Sequence, residues 1–214
     1  MNTIRTTIGA VLLSVVLTAC LGDRKMVNVS EMDDTSFVNK SFKGNLIDYN
    51  KDMSACDKLS ETDIASLYNV SEDAIVKQDV SKSDQRVPNS PPSCQFFIKD
   101  GDNDFLWLRG SMNVQREIGK DEMMGEIAEA TGSGEDWEEA WAMQKSMSKS
   151  AEWIDGLGMA ALWIEAKTEL RIKFEGYTLY VFPIKNKLNE AEVARKRDYK
   201  SMAIGMARNA GFIK

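Results

Sequence analysis

Leu170-Arg171-Ile172-Lys173-Phe174-Glu175-Gly176-Tyr177-Thr178-Leu179-Tyr180-Val181 is the stretch that decides the fold. Apolar and polar residues alternate on both sides of Glu175-Gly176, which is the period of a β-strand. A two-residue turn at Glu175-Gly176 sets a register in which Phe174 faces Tyr177, Ile172 faces Leu179 and Leu170 faces Val181. These six apolar residues share one side, while Arg171, Lys173 and Thr178 fall on the other. The pattern predicts one buried face and one mostly wet face. Pro183 stops the second strand.

Working outward, residues 162–166 read as a strand, and Phe96-Phe97-Ile98, a turn over residues 100–104 and residues 105–114 read as a second hairpin. Residues 116–130 read as a helix with Ile118, Met123, Ile127 and Ala130 on one face, broken by Thr131-Gly132-Ser133-Gly134. Ser133 and Asp136 then have the spacing of a capping box, and Trp137, Ala140, Trp141, Gln144 and Met147 follow at helical intervals. Near the other end, Ser60-Glu61-Thr62-Asp63 caps a short helix carrying Ile64, Leu67 and Tyr68 and ending near Asn69. Ser71-Glu72-Asp73 offers another turn, and residues 81–93, with Pro88, Pro91 and Pro92, read as a loop. A last helix over residues 187–209 places Tyr199, Met202, Ala203, Met206 and Ala210 on its core side. Strands segregated from helices and joined by hairpins define an α+β domain: an antiparallel sheet of about five strands with helices packed on one face.

The amino terminus has a separate logic. One cation, Arg5, precedes an apolar run from Ile8 to Leu17, far shorter than the roughly 20 residues of a membrane-spanning helix, so residues 1–19 read as a signal peptide. Leu17-Thr18-Ala19-Cys20 resembles the lipobox of bacterial lipoproteins, which implies acylation of Cys20 and cleavage before it. More than one acyl chain would anchor the chain to a membrane surface without spanning it. Leu21 stands where an aspartate would resemble an inner-membrane retention signal, so an outer-membrane address is favoured if the host has one. Residues 20–50 read as the lipidated start and a polar tether, with Phe37 to Leu46 as a stretch able to dock, and residues 51–214 as one domain. With Cys20 lipidated, Cys56 and Cys94 form an even pair in an oxidising compartment, and a disulfide is expected; two buried free thiols are the alternative.

Without Arg5 the chain has 26 cations against 33 anions, an acidic balance that argues against nucleic acid as a partner. Charge is unevenly placed: residues 100–139 hold 12 anions and 3 cations, and residues 184–214 hold 8 cations and 3 anions. Such a split, if it forms two faces, steers charged partners.

The order Cys56-x-x-Leu59-Ser60-x-x-Asp63-Ile64, Cys94-x-Phe96, Gly156-Leu157-Gly158-Met159-Ala160, hairpin and closing helix resembles the extracytoplasmic sensor domain of PknH-type kinases and related small lipoproteins of unknown function. The resemblance covers about residues 50 to 212 and implies a disulfide-braced binding fold without catalysis. Met159 stands where an acidic residue often follows the second glycine, and residues 116–150 are long for that layout.

The chain has no histidine, so the usual triads, most zinc sites and the commonest general base are missing. Asp100-Gly101-Asp102-Asn103-Asp104 starts like a calcium loop, but Phe105 replaces the required glycine and Ser111 the bidentate glutamate, which leaves a solvated turn. Ser146-x-x-Lys149 matches a penicillin-binding motif late in a helix, and Met143 with Met147 offers thioethers that read better as core filling. Glu135, Asp136, Glu138 and Glu139 are the carboxylates for a hydrolase, on what reads as a solvated helix face. Trp137 and Trp141 on one stripe line either a ligand groove or the core. No cofactor is expected. The sequence thus points to a lipid-anchored, non-catalytic envelope module that binds a protein or small ligand through a groove at Trp137 and Trp141 or through the acidic segment at Glu135, Glu138 and Glu139. An envelope inhibitor or immunity-type protein is the first alternative, and a carboxylate-dependent hydrolase the second.

Overall fold

The computed structural model describes Glu31 and residues 34–82, 91–99, 101–185 and 197–214. In chain order it contains α1 (Glu61–Tyr68), β1 (Ile75–Asp79), β2 (Ser93–Ile98), β3 (Leu108–Arg116), α2 (Gly125–Thr131), α3 (Trp137–Met147), β4 (Ala151–Trp153), β5 (Ala160–Ile164), β6 (Glu169–Phe174), β7 (Tyr177–Phe182) and α4 (Tyr199–Asn209). The β6–β7 hairpin has the expected register, with Phe174 on Tyr177, Ile172 on Leu179 and Leu170 on Val181. Gly176 takes the left-handed conformation at φ 77° that closes the turn. Around this hairpin the strands run β1-β2-β3-β7-β6-β5-β4, with every pairing antiparallel.

The sheet therefore has seven strands where about five were expected. The two additions are its edges, β1 and β4, of 5 and 3 residues, too short to carry a readable alternation. The expected face is apolar throughout: Leu170, Ile172 and Phe174 of β6 and Tyr177, Leu179 and Val181 of β7 join Met112, Val114, Trp163 and the inner sides of α1 and α4. At about 1.5 to 3 kcal/mol for each large side chain, this layer is the main source of stability. The α1 helix starts on the capping box read from the sequence, Ser60 Oγ accepting from the Asp63 amide at 3.0 Å and the Asp63 carboxylate accepting from the Ser60 amide at 3.2 Å. It ends on Asn69 at φ 53°. As expected, the α4 helix buries Met202, Ala203 and Met206, with Ala210 buried at its cap and Tyr199 half-buried against the core; residues 187–196 of its expected span lie outside the described residues.

The second face departs from the expectation. Lys173, Arg171 and Thr178 are buried, because α3 packs Trp137 and Trp141 against Leu162, Ile164 and Ala160 on that side. Helices thus cover both faces. The helix expected over residues 116–130 is a strand end, a turn and a short helix: Arg116 still pairs with Tyr177, and the Ile118 amide donates to Ser133 O at 3.0 Å. Met123 and Ile127, expected on a core face, are 97% and 57% exposed. Ser133 does not cap α3; the Glu129 carboxylate accepts from the Glu135 and Asp136 amides at 2.9 Å each, at the start of the helix.

Of the expected tether, residues 37–49 lie along the sheet end formed by the β4–β5 and β6–β7 turns. Asn39 Nδ2 donates to Gly158 O at 3.0 Å, Asn45 Nδ2 to Glu175 O at 3.0 Å, and Tyr177 OH to Ile47 O at 2.6 Å. The Phe37 ring stacks on Trp153 at 3.8 Å. Gly158 is required here: at φ 58° a Cβ would stand 2.4 Å from Lys173 O, where the Met159 amide donates at 2.8 Å. The signal peptide and Cys20 lie outside the described residues.

Cys56 and Cys94 form the expected disulfide, with Cα atoms 4.8 Å apart and 38 residues in the loop. It ties the segment before α1 to β2, where Lys77 Nζ of neighbouring β1 also donates to Cys56 O at 3.0 Å and Leu59 O at 2.8 Å. In the chain-entropy picture a loop of this length contributes about 3 to 4 kcal/mol. Reduction, or Cys94→Ala, is expected to lower unfolding stability by about that amount; urea titrations with and without reductant check it, with an unchanged midpoint contradicting the role.

Candidate functional site

The second sheet face carries Glu169, Arg171 and Lys173 at alternate positions of β6, only 4%, 8% and 1% exposed. Charges at such depth are tolerated only when paired and hydrogen-bonded. Lys173 donates to the Glu117 carboxylate and sits 5.6 Å from the centre of the Trp137 ring, whose negative π-face favours a cation. Arg171 donates from Nε to Glu169 and from Nη1 to Gln144 Oε1, and its guanidinium lies 5.5 Å over the Tyr180 ring. Gln144 is a bridge, because its Nε2 donates to Thr131 O at 3.1 Å and so couples α3, the end of α2 and the buried arginine. Tyr180, directly opposite Arg171 in the sheet, has its phenol pushed up in pKa by burial, partly offset by Arg171.

Glu117 is presented by the loop after β3, and that loop is tied down by its own ion pair. Arg116 Nη1 and Nη2 donate to the two Glu122 oxygens at 2.6 and 2.7 Å, and the Gly119 amide donates to Glu122 at 2.9 Å. The Arg116 bonds, then the Gly119 amide, hold the Glu122 carboxyl down at about 2.

Between the α2–α3 link and the central strands lies a cleft of about 460 Å³ lined by Gln115, Ala130, Thr131, Ser133, Gln144, Lys167, Arg171 and Tyr180. Its size is in the range of small-molecule sites. The floor follows from sheet register: Arg171 pairs with Tyr180 in one row, while Gln115 pairs with Thr178 and Thr178 with Lys173 in the next. A second, smaller cleft of about 340 Å³ runs between residues 42–46, the Gly156-Leu157-Gly158 turn and the carboxyl terminus.

Trp137 and Trp141 are core, buried with ring centres 5.2 Å apart, and they support the cleft without lining it. Glu135 and Glu139 are exposed and Glu138 is half-buried; none of the three lines the cleft. Ser146 is buried and donates to Met143 O at 2.8 Å. The Asp100 end of the calcium-like turn and much of the basic segment at 184–214 lie outside the described residues. Of the cleft residues, Arg171 falls on the side of the central hairpin expected to be wet, while Tyr180, Lys167 and Gln115 carry no local signal of a ligand site. Two signals point to Arg171: the alternating signs of Glu169-x-Arg171-x-Lys173, and a helix with two tryptophans that needs a sheet face to cover.

No protein-family model matches the chain, and neither a curated protein nor a solved structure matches it.

Removing Glu117 strands the Lys173 ammonium. Glu117→Ala is expected to cost about 2 kcal/mol or more, and adding Lys173→Met to recover most of it; a double-mutant cycle by urea unfolding checks this, and additive costs would contradict the pairing. Because the Glu122 pKa is depressed in the folded state, its contribution is complete above the unfolded value, roughly 4.3, and is lost as pH falls toward 2. Glu122→Gln should flatten the fall in melting temperature over that window, measured by scanning at pH 6 down to pH 2.5.

Proposed function

We propose that this chain is a lipid-anchored binding module of the cell envelope, facing the periplasm or the exterior. It holds a small polar ligand in the cleft at Arg171 and carries out no chemistry on it. The observation that carries this reading is the cleft itself, in which amide, hydroxyl and cationic side chains from β3, β6, β7, α2, α3, the α2–α3 link and the β5–β6 turn converge. Its walls are fixed by the buried Arg171–Glu169 and Lys173–Glu117 pairs, which suits recognition by a preformed surface. The lipobox supports anchoring at Cys20, and the Cys56–Cys94 disulfide suits an oxidising compartment. Among the described residues no helix is long and apolar enough to cross a membrane. The likeness of the motif order to PknH-type sensor domains points to binding as well.

One observation favours the inhibitor or immunity-type alternative. Met123, Met124 and Ile127 are exposed together at α2, beside Asp121, Glu122 and Glu126. An apolar centre with an acidic rim fits a protein partner with a basic one.

Made with its leader in the native host, the protein should enter the detergent phase on Triton partitioning with the mass of an acylated Cys20, and Cys20→Ser should stay in the aqueous phase. Native mass spectrometry of the wild type from envelope extract should then show a bound small molecule. A single stoichiometric protein partner would favour the inhibitor, and an unacylated chain in the aqueous phase would contradict the anchored module.

A further inference from the structure

Resting on the reading of this cleft as a ligand site, we infer that it selects a small oxyanion-bearing, hydroxyl-rich molecule, with the anion at Arg171 and Lys167. Among the cleft's lining residues are two cations and no carboxylate, in a chain whose net charge is −6. Glu169 neutralises Arg171 from within the sheet face, so the positive charge left in the cleft is that of Lys167. Lys167 is exposed, and among the described residues no carboxylate lies within salt-bridge distance of its ammonium.

The hydrogen-bond inventory points the same way. Arg171 uses Nε and Nη1, and no described residue accepts from Nη2. The Gln115 amide and the Tyr180 hydroxyl also line the cleft, and neither has a protein partner among the described residues. Neither belongs to the fully buried unsatisfied atoms, so both face accessible space. Four groups from β3, β6, β7 and the β5–β6 turn therefore converge with free hydrogen-bonding capacity. Arginine and lysine bind carboxylate and phosphate oxygens through charge-assisted bonds. An amide, which both donates and accepts, and a phenol pair with hydroxyls on the rest of the ligand. A sugar acid or a sugar phosphate meets both requirements; a neutral sugar meets only the second.

Calorimetry on the mature acylated protein in detergent micelles, with glucuronate, glucose and inorganic phosphate as probes, tests the inference. Glucuronate should bind more tightly than glucose by at least about tenfold, with an affinity that falls as salt is raised. Lys167→Glu, at an exposed position that leaves folding intact, should abolish that preference, and Lys167→Arg should retain it. Phosphate competing with glucuronate would show that the oxyanion alone is recognised, and failure to compete that the sugar body is needed as well; either result agrees with the inference. Glucose binding as tightly as glucuronate, an unaltered preference in Lys167→Glu, or no binding of either anion would overturn it. A neutral molecule found on the protein from envelope extract would overturn the inference while leaving the binding-module reading intact.

Discussion

A lysine ammonium buried to 1% exposure is the constraint on which the second half of the molecule depends. Lys173 is held at that depth by Glu117, 56 residues away in sequence, and by the Trp137 ring. Leaving such a charge unpaired costs several kcal/mol, so the fold must bring the loop after β3 and the start of α3 together over β6. Once they meet there, Arg171, two residues before Lys173 and on the same side of the strand, is covered by α3 as well and must find Glu169 and Gln144. The cleft is the space between this polar pairing and the α2–α3 link.

The two faces of the sheet divide the work of the chain. One is apolar from β1 across to β5, covered by α1 and α4 and braced at β2 by the disulfide, and contributes most of the burial. The other combines a small apolar group around Trp137 and Trp141 with a row of buried charges. The cost of the polar groups desolvated on the second face is offset by the burial on the first. Residues 37–49 close the end of the sheet against both hairpin turns.

The central hairpin was legible because its alternation is strict and its turn has one sensible register. The α1 capping box and the inner stripe of α4 were legible for similar local reasons. The edge strands were not, since 3 to 5 residues with mixed polarity carry no period. Ile118, Met123 and Ile127 fall at helical spacing, yet backbone pairing of Arg116 and Ile118 holds the first part extended, and local spacing has no information about that tertiary competition. Arg171 and Lys173 were read as solvent-facing because alternation in a one-sided sheet assigns charges outward. The alternating signs of Glu169-x-Arg171-x-Lys173 and the demand of a tryptophan-bearing helix for a partner surface argue otherwise, but neither names the strand that the helix will cover.

Lysine labelling by reductive methylation of the native protein, read by peptide mass spectrometry, tests the covered second face most directly. The account predicts that Lys167, in the β5–β6 turn at the cleft rim, reacts readily, and that Lys173, six residues further on in β6, stays unmodified until the protein unfolds. Labelling of Lys173 in the native state at a rate comparable to Lys167 would return that face to solvent and contradict the account.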